Sequence, residues 1–207
     1  MSAAGLLYKK ARGCLFEFGA IEVFKRIAKE CSRKSAPISL DPDISPLDQS
    51  LAIGAAPRSR PALDRLVEQG YDHIIDLRAE RKADDVLNGP TQINMHAVPT
   101  YDDWLPKPIE FFQSLVRQIA SIRAVPNHRL LICCGAGEHR APLAGAVALV
   151  ETGDPIEEAM SKIKAARPVA EFLPVYVASL QRYYDSSGDG PLAADPTQLK
   201  NKIQSTK

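Results

Sequence analysis

Cys134 and Arg140 stand at the two ends of a glycine-containing loop, within the stretch LLICCGAGEHRAPLAGAVALV over residues 130–150. A thiol becomes a strong nucleophile when ionised, and a guanidinium is a planar fork that matches two oxygens of an oxyanion. Gly135 and Gly137 lie between them and allow a tight turn that approaches a ligand closely. An apolar strand-like run precedes the loop and an apolar helix-like run follows it. Backbone N–H groups would then converge at a helix N-terminus, forming an anion nest sized for a phosphate. In that nest Arg140 would hold two phosphate oxygens, and its positive field would stabilise a thiolate on Cys134 facing the phosphorus. The plain structural alternative is a glycine turn between strand and helix beside a buried cysteine.

The elements that must position this loop are legible from hydrophobic periodicity. LAIG (51–54), HIIDL (73–77), INMHAVP (93–99) and RLLICC (129–134) read as short strands. RPALDRLVEQG (60–70) reads as a helix, with Pro61 near its start and Gly70 just past its end. KPIEFFQSLVRQIASI (107–122) is amphipathic through Ile109, Phe112, Leu115, Val116 and Ile119. Three further helices are expected at APLAGAVALVE, PIEEAMSKIKAA and EFLPVYVASLQRYY, with Pro174 in the first turn of the last or kinking it. Strands alternating with helices, then a helical C-terminal third, predict an α/β fold: a mainly parallel central sheet flanked by helices, with an extra N-terminal helix. Ligands of such sheets bind at the carboxyl ends of the strands, where the loop after RLLICC lies.

The division expected is an N-terminal amphipathic helix and linker over 1–45, a catalytic domain over 46–185 and a flexible tail over 186–207. Within the first part, Leu7, Ala11, Cys14, Phe18, Ile21 and Ala28 recur at helical steps amid a positive bias from Lys9, Lys10, Arg12, Lys25, Arg26, Lys29, Arg33 and Lys34. A helix packed on the main domain is the favoured reading, and a basic helix touching a membrane or partner the alternative. SAPISLDPDISPLDQS (35–50), with three prolines, reads as a linker. The formal net charge of +1 gives no field to draw the whole molecule to nucleic acid. The four cysteines include an adjacent pair and suggest free thiols in a reducing, cytoplasmic setting. No CxxC pair or His/Cys cluster suggests zinc, so neither metal nor cofactor is expected. No stretch reads as a transmembrane span or signal peptide. The oligomeric state is left open.

With these residues in view, the chain resembles the cysteine-dependent protein tyrosine phosphatase superfamily, and within it the compact dual-specificity branch. That branch carries His-Cys-x-x-Gly-x-x-Arg-Ser/Thr; here the stretch reads Cys133-Cys134-Gly135-Ala136-Gly137-Glu138-His139-Arg140-Ala141. The resemblance covers about residues 50 to 185, through LAIGAAP, IIDLRAE, VPTYDDWLPKP and KAARPVAEF in the same order. It implies a two-step phosphomonoester hydrolysis through a cysteinyl-phosphate on Cys134, with an aspartic acid on a separate loop protonating the leaving group. Asp102 and Asp103 in VPTYDDWLPKP are the candidates, Asp102 being favoured for its spacing of four before Pro106. Gly135, Ala136, Gly137, Glu138 and His139 would surround the substrate, and Arg167 would brace the loop. Asp76 and Arg78 read as a scaffold pair, and the basic pair Arg81–Lys82 as a solvated helix start in preference to a second anion contact. Trp104 either flanks the pocket mouth or anchors the acid loop.

Two departures bear on turnover. Cys133 replaces the histidine that orders the loop in the family, and Ala141 replaces the hydroxyl that assists thiolate release. The resemblance therefore leaves a phosphate- or phosphopeptide-binding pseudophosphatase as the alternative, and a rhodanese-like sulfurtransferase as a weaker one. Cys133 reads as a core residue on the opposite strand face, in preference to a redox partner for Cys134. Glu138 would repel a ligand with several phosphates, so the expected substrate is a phosphorylated protein or a small phosphomonoester.

Overall fold

The computed structural model of the chain describes residues 39–81, 85–89 and 91–186, together with the helical positions Lys25 and Ala28. The expected N-terminal helix, Cys14, Cys31, Lys82 and the C-terminal tail lie outside the described residues.

Five strands form one sheet: β1 (Ile44–Pro46), β2 (Leu51–Ala55), β3 (His73–Arg78), β4 (Asn94–Thr100) and β5 (Leu130–Cys134). Their spatial order is β1-β2-β5-β3-β4, and only β1 runs antiparallel to its neighbour. Among the described residues from 39 onward, five helices accompany them: α1 (Arg60–Glu68), α2 (Ile109–Arg123), α3 (Arg140–Val150), α4 (Ile156–Ala166) and α5 (Pro174–Ser186), with a 3-10 turn at Val86–Asn88. This is the mainly parallel α/β sheet expected from the sequence. β1 is a difference, because it lies inside the proline-rich stretch 35–50 read as a linker. Pro46 is tolerated there because an edge strand needs only one row of ladder hydrogen bonds.

Strand alternation divides the core into two layers. Leu130, Ile132 and Cys134 of β5, with Ile75 and Leu77 of β3, face the layer built by α2, α3, α4 and α5. Leu131 and Cys133, with Ile74 and Ala52, face α1 and the 3-10 turn through Leu63, Leu66 and Leu87. α1 is well delimited: the Ser59 side chain accepts from the Ala62 N–H, Pro61 sits in the first turn, and Gly70 past its end takes φ +82°. Pro174 is the first residue of α5, where its missing N–H costs nothing. Every residue of α3 is buried. Its run of alanines and Gly145 allows close packing against the sheet, and that packing fixes the position of Arg140 at its first turn.

Candidate active site at the end of β5

β5 delivers Cys134 to the carboxyl edge of the sheet with its side chain 2% exposed. Residues 135–139 then curl over the sulfur and enter α3. The Gly137 N–H donates to Cys134 Sγ at 3.2 Å. Gly137 has φ +64°, and a Cβ there would stand 2.5 Å from the Gly54 carbonyl carbon and 2.8 Å from the Ala55 nitrogen. Only glycine can occupy that position without moving β2.

Arg140 is 2% exposed and held along one edge. Its Nη1 donates to Glu80 Oε2 at 2.8 Å and to the Thr100 carbonyl at 2.9 Å, and its Nη2 donates to Glu80 Oε1 at 2.6 Å. Nε is buried and has no hydrogen-bond partner among the described residues. The fork is therefore anchored through its terminal nitrogens, while the Nε–Nη2 edge keeps capacity for a further acceptor. Burial works against the charge, but Asp102, Cys134 and Glu80 together hold the guanidinium firmly protonated.

The two aspartates of the loop between β4 and α2 separate clearly. Asp103 Oδ1 accepts from Lys107 Nζ at 2.7 Å and from the Leu105 N–H at 3.2 Å, which makes it an internal brace of its own loop. Asp102 instead meets His139 of the Cys134 loop, whose Nδ1 lies 3.2 Å from Oδ1, and its Oδ1 is 3.4 Å from the Tyr176 hydroxyl. His139 also reaches Glu171 Oε2 at 3.3 Å through Nε2. Burial opposes a charge on this ring, but the hydrogen bonds it donates to the two carboxylates outweigh it and push its pKa up to about 9. A charged imidazole therefore joins the loop between β4 and α2 to the Cys134 loop. Trp104 is buried with φ +59°, donates its N–H to the Tyr176 hydroxyl at 3.1 Å and sets its ring edge-on to His139. It anchors the loop from within.

Arg167, at the end of α4, is 3% exposed. Its Nε donates to the Gly137 carbonyl at 2.7 Å and its Nη2 to the Ala136 carbonyl at 3.1 Å, while its other contacts pair Asp43 at 2.8 and 3.0 Å. The Glu138 carbonyl accepts the Glu171 N–H at 2.7 Å. Gly135, Ala136 and Glu138 remain the more open side of the loop, Gly135 being exposed.

Cys133 is fully buried in the opposite core layer, and burial, reinforced by Asp76, raises its thiol well above the ordinary value. Ala141 is fully buried in the layer beneath the loop and brings no hydroxyl to the sulfur. Asp76 and Arg78 form a bidentate pair at 2.9 and 3.0 Å, extended by Asp85 and by Arg81 at 3.4 Å. Arg81 thus joins the scaffold pair and follows the turn at Ala79 and Glu80, where a helix start was expected. Sequence reading missed Glu80, Tyr176, Glu171 and Asp43. Glu80 had a signal, since IIDLRAE carries it just past a strand's carboxyl end, where charged residues meet ligands in parallel sheets.

No family model matches the chain, and neither does the sequence of any curated protein. Solved structures do match. Human DUSP28 shares 23% identity at a TM-score of 0.59, over 75% of this chain and 100% of that one. A human tyrosine phosphatase-like serine/threonine/tyrosine-interacting protein shares 19% at 0.62, over 71% and 99%. PTPMT1 in complex with PI(5)P shares 16% at 0.60, over 69% and 95%. Built on a mainly parallel five-stranded sheet with the Cys134 loop at its carboxyl edge, this chain has the fold of the dual-specificity branch of the cysteine-dependent protein tyrosine phosphatases.

Proposed function

We propose that the chain is a cysteine-dependent phosphomonoesterase. The observation that carries this reading is the buried Nε of Arg140, which has no hydrogen-bond partner among the described residues, in a fork whose terminal nitrogens are each anchored to Glu80. A phosphoryl group seated in the loop would accept from Nε, Nη2 and the loop N–H groups, leaving phosphorus in line with Sγ. The Cys134 thiolate forms the S–P bond as the P–O bond to the leaving group breaks. Asp102 draws a proton from the His139 imidazolium and passes it to the leaving oxygen. In the second step the Asp102 carboxylate takes a proton from water, the water oxygen attacks phosphorus, the S–P bond breaks and inorganic phosphate leaves with the thiolate restored. His139 and Tyr176 hold Asp102 over the loop, and Asp103 stays with Lys107.

The rim favours a single phosphate group. Glu80 pairs with Arg140, Glu171 meets His139 and Glu138 adds a further carboxylate, so the cations around the loop are offset and a polyanionic ligand gains little there. A phosphorylated protein side chain or a small phosphomonoester fits better than a multiply phosphorylated inositol. One observation favours a second reading: the buried methyl of Ala141 leaves no hydroxyl to assist release of the sulfur, as in an anion-binding protein without turnover. The test is p-nitrophenyl phosphate hydrolysis by the wild type, Cys134→Ser and Arg140→Ala. Turnover lost in both variants supports the enzyme. No turnover, with vanadate binding that requires Arg140, supports the pseudophosphatase.

A further inference from the structure

Three of the four histidines gather at the opposite edge of the sheet, where β3, β4 and β5 begin. His73 opens β3 directly after Asp72, His96 lies on β4, and His128 precedes β5. Parallel pairing brings them together: the Asp72 and His73 N–H groups both donate to the Arg129 carbonyl at 3.2 Å. The Arg129 N–H donates to Asp72 Oδ1 at 2.8 Å, which fixes that carboxylate and turns Oδ2 toward His128 Nδ1. One ligating atom from each of Asp72, His73 and His128 lies within 4.8 Å of the others. The Nε2 of His73 is buried and has no hydrogen-bond partner.

We propose that Asp72, His73 and His128 bind a divalent transition-metal ion, zinc foremost, at the amino edge of the sheet. Two imidazoles and one carboxylate form a donor set suited to zinc, cobalt or nickel and poorly suited to magnesium or calcium. Zinc–ligand bonds of about 2.0–2.2 Å place tetrahedral ligand atoms roughly 3.3 Å apart, so the cluster would draw inward by about 1 Å. The Asp72 and His128 side chains are 37% and 30% exposed, which gives them room to do so.

The surroundings of His73 also suit a ligand. With metal on Nε2, the Nδ1–H donates to His96 Nε2 at 2.9 Å, and the Nδ1–H of His96 donates in turn to the Gln118 amide, 2.9 Å away, with that amide turned to present its oxygen. Such a relay fixes the tautomer and ring orientation of a metal-bound histidine. Water would complete the coordination. The ion would tie the turn entering β3 to the turn entering β5. The site stands roughly 20 Å from Cys134, given six residues of extended chain at about 3.3 Å each, and does not depend on the phosphatase reading.

The test uses the full chain carrying Cys134→Ser, so that the loop thiol cannot capture the metal. Protein stripped by chelator is titrated with zinc by calorimetry and with cobalt by its visible absorption. Equimolar binding is expected, lost in His73→Gln and in His128→Gln, and weakened about 10-fold in His96→Ala. Magnesium should not compete. If His73→Gln does not fold cooperatively, His128→Gln, in a turn ahead of its strand, carries the test. Absence of equimolar binding by the Cys134→Ser chain, or binding unchanged in both ligand variants, overturns the proposal.

Discussion

The two edges of the same sheet present opposite chemistry. At the carboxyl edge the groups facing inward are donors: the Gly137 N–H, the Nε of Arg140 and the start of α3. At the amino edge they are lone pairs: two imidazoles and the Asp72 carboxylate. One edge suits an anion and the other a cation. They also differ in construction. The carboxyl edge is braced by buried charged side chains from separate elements, Arg140 with Glu80 and Arg167 with the loop carbonyls. The amino edge is half-exposed and held mainly by backbone pairing through Arg129. A reacting anion needs a rigid cradle, whereas a bound cation can pull its own ligands into place.

The sharpest way to break this contrast is at Arg140. Arg140→Ala removes the fork and leaves Glu80 facing the loop without its cation. A fall in kcat/KM of about 1000-fold is expected, while His73→Gln leaves turnover of the metal-free protein near wild type. Steady-state assays on the two purified variants check the pair, and comparable losses would erase the distinction between edges.

The two aspartates give the next effect. Asp102→Asn should cost about 100-fold in kcat on a substrate with a poor leaving group and far less on p-nitrophenyl phosphate, whose leaving group scarcely needs a proton. Asp103→Asn should act mainly on stability, by freeing buried Lys107. Measuring both substrates for both variants separates acid from brace.

His139 supplies a pH test. Its folded value of about 9 lies above the ordinary 6.5, so its stabilisation is complete below about pH 6.5 and is lost as pH rises through about 9. The loss is at most about 3 kcal/mol. Thermal melts across that window should show a falling midpoint in the wild type and a flatter profile in His139→Gln.

The smallest change is a gain. Ala141→Ser restores a hydroxyl beneath the sulfur and should raise kcat by roughly 3-fold to 10-fold if phosphoenzyme breakdown limits the rate. Rapid-quench measurement of the burst would show the slow step relieved. An undiminished burst with unchanged kcat would count against that assignment.

What could be read from the sequence followed distance along the chain. Cys134, the two glycines and Arg140 are contiguous, so a strand–loop–helix pattern was enough to group them. The expected sheet was also legible, because β2 to β5 are short apolar runs bounded by turn residues. β1 was hidden by its prolines. Glu80 lies 60 positions from Arg140, and Asp72 lies 56 from His128, so no local spacing rule could join either pair. Asp102 and Asp103 are neighbours with nearly equal sequence claims; the lysine at 107 separates them in three dimensions, by holding Asp103 away from the loop.

Arg167 carries a consequence for the order in which the chain becomes competent. It joins the loop carbonyls to Asp43, 124 residues earlier, so the cradle is finished only when the beginning and the last third of the domain have met. On a ribosome, Cys134 and Arg140 emerge before that clamp can close, and a nascent chain holds both residues without the frame that positions them. Contacts so distant in sequence form late in folding. Completion of the loop is thus timed by topology: Cys134 is synthesised 33 residues before Arg167, and its cradle closes only once Arg167 has emerged.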